Sequence, residues 1–87
     1  MAIEIVDFRP MDKNTLRGFV TIRMTQIGLE IRDVALHEKN GQRWIQLPSR
    51  PYTGRDGTTK YSYILDFYDK PMRDRFTAAV LKALETR

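Results

Sequence analysis

A strict alternation of side-chain character over residues 16–24 constrains the fold of this chain more than any other feature. Apolar or small residues occupy every second position: Leu16, Gly18, Val20, Ile22 and Met24. The positions between them hold Arg17, Phe19, Thr21 and Arg23. Because side chains of a β-strand alternate between two faces, each set lies on its own face of a strand. The pattern therefore predicts a strand with one face in a core and the other turned to solvent or to a ligand.

Further strand signals surround this segment. Residues 29–36 also alternate, but the apolar positions change phase near Arg32 and Asp33, which predicts a β-bulge. Asn40 and Gly41 tolerate positive φ and predict a tight hairpin turn. The remaining predicted strands are residues 3–8, ended by Arg9 and Pro10, residues 43–47, ended by Pro48, and residues 59–67.

The last part of the chain has the three- and four-residue spacing of an amphipathic helix. Its predicted core face comprises Met72, Phe76, Ala79, Val80, Ala83 and Leu84. Asp69 is the expected N-cap and Pro71 fits the first turn, whereas Leu81 is expected to project away from the core. Together these elements predict an α+β fold: a single small domain over residues 1–87, with an antiparallel sheet of about five strands and a C-terminal amphipathic helix.

Length and composition limit the classes of protein to consider. The chain has 87 residues, no cysteine and a formal net charge of +4. This length allows one small core, and the lack of cysteine excludes disulfides and thiolate metal sites. No apolar run approaches the ~18 residues of a membrane span, and the polar N-terminus is unlike a signal peptide. A cytoplasmic protein with an anionic partner is the expectation.

The predicted loop at residues 48–58 has a composition suited to nucleic acid. Residues 47–61 combine Arg50, Arg55 and Lys60 with Tyr52 and Tyr61, and Asp56 is the single acid. Cationic groups neutralise phosphates, and tyrosine rings stack on unpaired bases. A basic loop is also common as solvated surface, so both interpretations stay open at this point.

Catalytic motifs are missing from the sequence. His37 is the single histidine, and without cysteine there is no Cys/His pair and no set of zinc ligands. The glycines at 54 and 57 lack the lysine and the strand–loop–helix context of a phosphate-binding loop. We therefore expect a protein that is not an enzyme and that has no cofactor, metal site or small-molecule substrate.

Two aromatic positions have alternative interpretations. Trp44 faces away from Ile45 and Leu47 in its predicted strand, which suits burial against the helix or a second subunit, or a base-stacking platform. Phe19 shares a strand face with Arg17 and Arg23, a pattern of either a solvated or a nucleic-acid-binding sheet face.

The order of these elements resembles the stage V sporulation protein G (SpoVG) family. The resemblance covers roughly residues 3–84, and its specific part is the Leu47-Pro48-Ser49-Arg50 step after an aromatic strand, with Arg73 and Arg75 opening the helix. Pro51 departs from the family, which tends to place a second basic residue there. The family is bacterial, dimeric, binds DNA and RNA, and is linked to septation and sporulation.

The resemblance implies a dimeric, non-enzymatic, nucleic-acid-binding regulator. Arg50 and Lys60 match the family's basic loop positions, and Arg73 and Arg75 match its basic pair on the helix. The full expected set of nucleic-acid-binding residues is Arg50, Tyr52, Arg55, Lys60, Arg73 and Arg75. Two alternatives remain: a single-strand binder of the transcriptional-coactivator type that uses the sheet face, and a protein-interaction dimer with no nucleic-acid role.

Overall fold

The computed structural model describes residues 1–86, which form six β-strands and one α-helix. The strands are β1 (Ile3–Lys13), β2 (Leu16–Met24), β3 (Leu29–Lys39), β4 (Gln42–Gln46), β5 (Ser49–Thr53) and β6 (Thr59–Tyr63), and the helix is α1 (Lys70–Glu85). β1 to β4 make an antiparallel sheet in sequence order, and β5 pairs with β6 in a separate hairpin. The α+β class and the C-terminal helix are confirmed, but the strands form two sheets rather than one of five strands.

The core lies between one face of the four-stranded sheet and the helix. Gly18, Val20 and Ile22 of β2 are buried, as the alternation predicts. Phe76 and Val80 are the buried residues of α1, and they join the sheet residues in one apolar cluster. The cluster comprises Val20, Ile22, Ile31, Val34, Leu36, Leu47, Phe76 and Val80. Burial of this apolar surface is the main favourable term in folding.

Leu16 is an exception to the predicted alternation. It pairs with His37, whereas Gly18 pairs with Leu36, so the register shifts around Arg17. Because directly opposite residues share a face, this shift places Leu16 with His37 on the sheet face opposite the helix. The prediction that Leu16 belongs to the core face is therefore wrong.

The predicted bulge in β3 is confirmed. The β2–β3 register shifts between Val20 opposite Val34 and Ile22 opposite Ile31, so Arg32 and Asp33 are accommodated against one residue of β2. Asp33 has a φ of 60°, a left-handed conformation that aspartate adopts more readily than most residues. The bulge lets Ile31 and Val34 both reach the core although they have opposite parity.

One predicted strand boundary differs from the structure, and one predicted turn is confirmed. β1 runs past Arg9 and Pro10 to Lys13, because β1 is an edge strand, where a missing proline N–H need not leave a partner unpaired. The Asn40-Gly41 turn is confirmed, with φ values of 54° and 79°, and it joins β3 directly to β4.

The helix begins where the sequence places it. Asp69 is the N-cap residue but makes no side-chain capping hydrogen bond, and Pro71 lies in the first turn. Leu81 is half-buried and packs against the core cluster, so the prediction that it projects away is wrong. At the other end, Arg43 Nη2 donates to Glu85 Oε1 at 2.7 Å and links β4 to the last helical turn. Among residues 1–86, no helix is long and apolar enough to cross a membrane.

Candidate nucleic-acid interface

The basic segment is a β-hairpin rather than the predicted loop. β5 and β6 pair from Ser49 opposite Tyr63 to Thr53 opposite Thr59. Pro51 is tolerated because both strands of a two-stranded sheet are edges. Nearly every residue of the hairpin is exposed, and among residues 1–86 its strands pack chiefly on each other. The hairpin is therefore an arm that can present its side chains to a ligand.

The hairpin register brings three of the expected binding residues together. Tyr52 lies directly opposite Lys60, and Arg50 lies opposite Ser62. These residues share a hairpin face because alternate positions of a strand point the same way. Tyr52 is 49% exposed, so its ring is open to stacking. We call the surface formed by Arg50, Tyr52 and Lys60 the basic face.

The tip of the hairpin is a compact turn. The Gly54 N–H donates to the Thr58 carbonyl at 2.8 Å, and the Gly57 N–H donates to the Gly54 carbonyl at 3.0 Å. Asp56 Oδ1 accepts from the Thr58 hydroxyl at 2.6 Å and from the Thr58 N–H at 3.1 Å. These hydrogen bonds, the hydroxyl first, lower the pKa of Asp56. The single acid of the segment is thus engaged in the turn that carries Arg55.

The cations of the hairpin differ from those of the four-stranded sheet in their ion pairing. Within residues 1–86, Arg50, Arg55 and Lys60 make no ion pair. The sheet cations do: Arg9 pairs with Asp33 at 2.6 Å, and Arg23 and Arg32 both pair with Glu30 at 2.9 and 2.8 Å. Arg17 also lies near Asp12 and Glu38. The three cations of the hairpin therefore differ from these sheet arginines in having no carboxylate partner among the described residues.

The two helix arginines lie in different surroundings. Arg73 lines a groove shared with Tyr63 of the hairpin, and its Nε is 3.8 Å from Asp74 Oδ1. Arg75 is exposed and its guanidinium lies 3.8 Å from the sulfur of Met72. Of the two, the structure brings Arg73 alone into a groove with the hairpin.

Two grooves lie on either side of the end of β4. The hairpin groove, about 660 Å³, lies between the outer sheet face and the hairpin and includes Leu16, Phe19, His37, Tyr61 and Ile64. The edge groove, about 310 Å³, lies between β4, the hairpin base and the start of α1, and includes Trp44, Tyr63, Asp66, Arg73 and Thr77.

Trp44 is neither buried against the helix nor fully free. Its ring stacks on His37 with centroids 5.4 Å apart and an interplanar angle of 7°, while 39% of the residue stays exposed. His37 Nδ1 lies 3.0 Å from Thr15 Oγ1, and His37 Nε2 is buried without a hydrogen-bond partner among residues 1–86. His37 therefore covers one face of the Trp44 indole ring.

Tyr63 lies at the base of the hairpin and is not among the expected binding residues. The alternation over residues 59–67 predicts a strand that continues past Tyr63, whereas β6 ends at Tyr63 and leaves it 51% exposed. The signal available was the run of tyrosines at alternate positions 61 and 63 beside a basic segment. Within residues 1–86, no group of three or more histidine or acidic residues is placed to hold a metal ion.

No protein-family model, curated protein or solved structure matches this chain. The resemblance to the SpoVG family therefore stays a prediction.

Proposed function

We propose that this chain is a non-enzymatic, cytoplasmic regulator that binds DNA or RNA through the basic face of its β5–β6 hairpin. The observation that carries the proposal is the contrast in charge pairing. Arg50, Arg55 and Lys60 have no carboxylate partner within residues 1–86, whereas the arginines of the four-stranded sheet do. A phosphate backbone supplies the missing negative charge.

The arrangement of the basic face suits a single strand better than a duplex. Tyr52 lies opposite Lys60, so a base can stack on the ring while a neighbouring phosphate contacts the ammonium group. Stacking of this kind needs an unpaired base and tolerates any sequence. Arg55 at the hairpin tip adds a further cation to the arm, and Arg73 lies near the hairpin base in the groove that contains Tyr63. Arg75 belongs to the proposed set through the SpoVG resemblance alone.

The sheet-face alternative is less well supported. Its cations Arg17 and Arg23 already contact carboxylates, and Arg9 lies over the Phe19 ring with its guanidinium carbon 5.6 Å from the centroid. A nucleic acid that bound there would have to displace these contacts before it gained any. A regulatory role in septation or sporulation follows from the resemblance and is proposed on that basis only.

Dimerisation is part of the proposal and is supported by surface area. The chain exposes 6513 Å², compared with about 5,300 Å² for an ordinary monomer of its mass. The excess of about 1,200 Å² exceeds the roughly 800 Å² that each partner buries in a standard interface. The edge strands β1 and β4 offer unpaired backbone groups for such a contact.

The deciding experiment compares affinities for single-stranded DNA, duplex DNA and RNA of matched length at low and high salt. We expect single strands to bind more tightly than the duplex, and every affinity to rise as salt is lowered. An affinity that stays undetectable at low salt would contradict the proposal and favour the protein-interaction dimer.

A further inference from the structure

The edge groove combines aromatic walls with groups that recognise a nucleotide. Trp44 and Tyr63 are partly exposed aromatic residues of its lining, and Phe67 and Phe76 line it as a tilted pair with centroids 5.1 Å apart and an interplanar angle of 47°. A volume of about 310 Å³ falls within the range of small-molecule pockets, about 300–1,000 Å³. Such walls favour a planar ring, because offset stacking adds to the burial of apolar area.

Polar groups of both charges line the same groove. The Arg73 guanidinium lies at one side, where its contact with Asp74 is long at 3.8 Å and both side chains are exposed. A phosphate can therefore replace Asp74 as its partner. Asp66 also lines the groove, and one of its oxygens accepts the Phe67 N–H at 2.9 Å. A carboxylate retains further acceptor capacity for the exocyclic amino group of a base.

The hairpin groove lacks this combination although it is larger. Its one formally charged side chain within residues 1–86 is Asp33, which is paired with Arg9 at 2.6 Å. It presents no lysine or arginine to a phosphate. An anionic aromatic ligand is therefore better matched by the edge groove.

We propose that the edge groove binds one nucleotide, with its base against Trp44 and Tyr63, its phosphate on Arg73 and a base amino group on Asp66. The nucleotide is either free or an unstacked unit of a nucleic-acid strand. This site is on the opposite side of the hairpin from the basic face, because Tyr63 and Tyr52 have opposite parity in paired strands. It does not depend on nucleic-acid binding by Arg50 and Lys60.

Trp44 makes the test direct, because it is the single tryptophan of the chain. Adenosine 5′-monophosphate, adenosine and inorganic phosphate are titrated into the full chain while tryptophan emission and heat of binding are followed. We expect the monophosphate to bind saturably with a change in emission, adenosine to bind about tenfold more weakly, and phosphate to leave emission unchanged. NMR shifts of the Trp44 indole N–H in the unmodified chain provide a readout that needs no variant.

Matched variants locate the ligand. Arg73→Gln should weaken the monophosphate about tenfold and leave adenosine unchanged, whereas Lys82→Gln, an exposed position on the same helix outside the groove, should change neither. Tyr63→Leu should weaken both ligands, and Tyr61→Leu, in the hairpin groove, should weaken neither. Absence of saturable binding, an equal loss of both ligands in Arg73→Gln, or a loss in Tyr61→Leu instead of Tyr63→Leu would overturn the proposal.

A short oligoadenylate distinguishes the two sources of the nucleotide. If the groove serves a strand, the oligomer binds more tightly than the monophosphate, and Tyr63→Leu weakens both. If it serves a free nucleotide, the oligomer gives no Trp44 response beyond that of the monophosphate. The Arg50→Ala/Lys60→Ala variant should bind the monophosphate as tightly as the parent does. This result separates the two proposals, because nucleotide binding in the edge groove can then be found even if the basic face does not bind nucleic acid.

Discussion

Arg50 and Lys60 carry the same charge as the arginines of the four-stranded sheet, but within residues 1–86 they have no carboxylate partner. A surface cation that already has a carboxylate neighbour gains little when it exchanges that neighbour for a phosphate. A cation without one gains the full release of condensed counterions from the nucleic acid. For the proposed interface, the pairing pattern therefore favours Arg50 and Lys60 over the paired arginines of the sheet, and their common face with Tyr52 distinguishes them from other unpaired cations.

Removing both cations of the basic face should flatten the salt dependence of binding. Each phosphate contact contributes about 0.7 to 0.9 to the slope of log affinity against log salt, so Arg50→Ala/Lys60→Ala should reduce the slope by somewhat less than two. Fluorescence anisotropy at several salt concentrations measures it. Lys13→Ala/Lys39→Ala removes the same charge from residues without an ion pair within residues 1–86, and should change the slope little. The reverse result would move the interface to the sheet.

Tyr52 tests the stacking contribution separately from charge. Tyr52→Ala should weaken single-strand binding by about 1 to 3 kcal/mol and leave the salt slope unchanged, because stacking releases no counterions. Tyr52→Phe keeps the ring and serves as the control. Equal affinities for the alanine variant and the parent would remove Tyr52 from the interface.

The tip of the hairpin has a titration behaviour that can be checked. The Thr58 hydroxyl is the first cause of the lowered pKa of Asp56, so Thr58→Val should raise that pKa toward the ordinary value of about 3.9. The hydrogen bonds stabilise the turn above the ordinary pKa, and this contribution is lost as the pH falls through the lowered pKa. NMR titration of the carboxyl groups measures the change. Glu30, whose pKa is lowered chiefly by Arg23, should not move.

At the level of elements, the sequence predicts local structure correctly where one or two residues determine the backbone conformation. The positive-φ positions Asn40 and Gly41 and the phase change at Asp33 predicted a turn and a bulge that the structure contains. β5 could not be predicted because Pro51 and its polar neighbours do not show the alternation of apolar and polar residues that marks a half-buried strand. The face of Leu16 was also beyond prediction, because the register shift that turns it outward depends on its pairing with His37.

Gly18 shows how tightly the first two strands approach each other. A Cβ there would lie 2.7 Å from the Arg9 carbonyl oxygen and 2.6 Å from the Phe8 ring. Since the carbonyl belongs to a paired strand and cannot easily move, Gly18→Ala should destabilise the fold by about 1 to 3 kcal/mol in urea unfolding. Gly54→Ala is the control, because its nearest obstacle, 2.9 Å away, is the flexible end of Lys60. Equal unfolding midpoints for the two variants would contradict the argument.

At the level of the whole molecule, the separation of the strands into a sheet and an arm was not encoded in any single pattern. The expected site residues in the hairpin were identified from composition, and their grouping on one face required the register of β5 and β6. The grooves are lined by segments distant in sequence: the hairpin with the outer sheet face in one, and the hairpin base with β4 and α1 in the other. Such features arise from contacts between segments distant in sequence, which local periodicity does not record.

The proposed dimer is tested at the same scale. Sedimentation equilibrium at micromolar concentration should give twice the chain mass of 10.2 kDa, because the extended shape of 42 × 28 × 22 Å leaves more surface than a monomer of this size usually exposes. The Arg50→Ala/Lys60→Ala variant should sediment in the same way, since its changes lie on the arm. A monomer mass for both proteins would refute the dimer.

The position of α1 has a consequence for how the protein is made. Phe76 and Val80 complete a core whose other members lie in β2, β3 and the end of β4, and the helix packs on β1 and β4. During synthesis the first four strands therefore leave the ribosome with one apolar face uncovered, and they must wait for residues 70–85. Apolar surface that is exposed in this way before folding is complete favours aggregation of the partly synthesised chain.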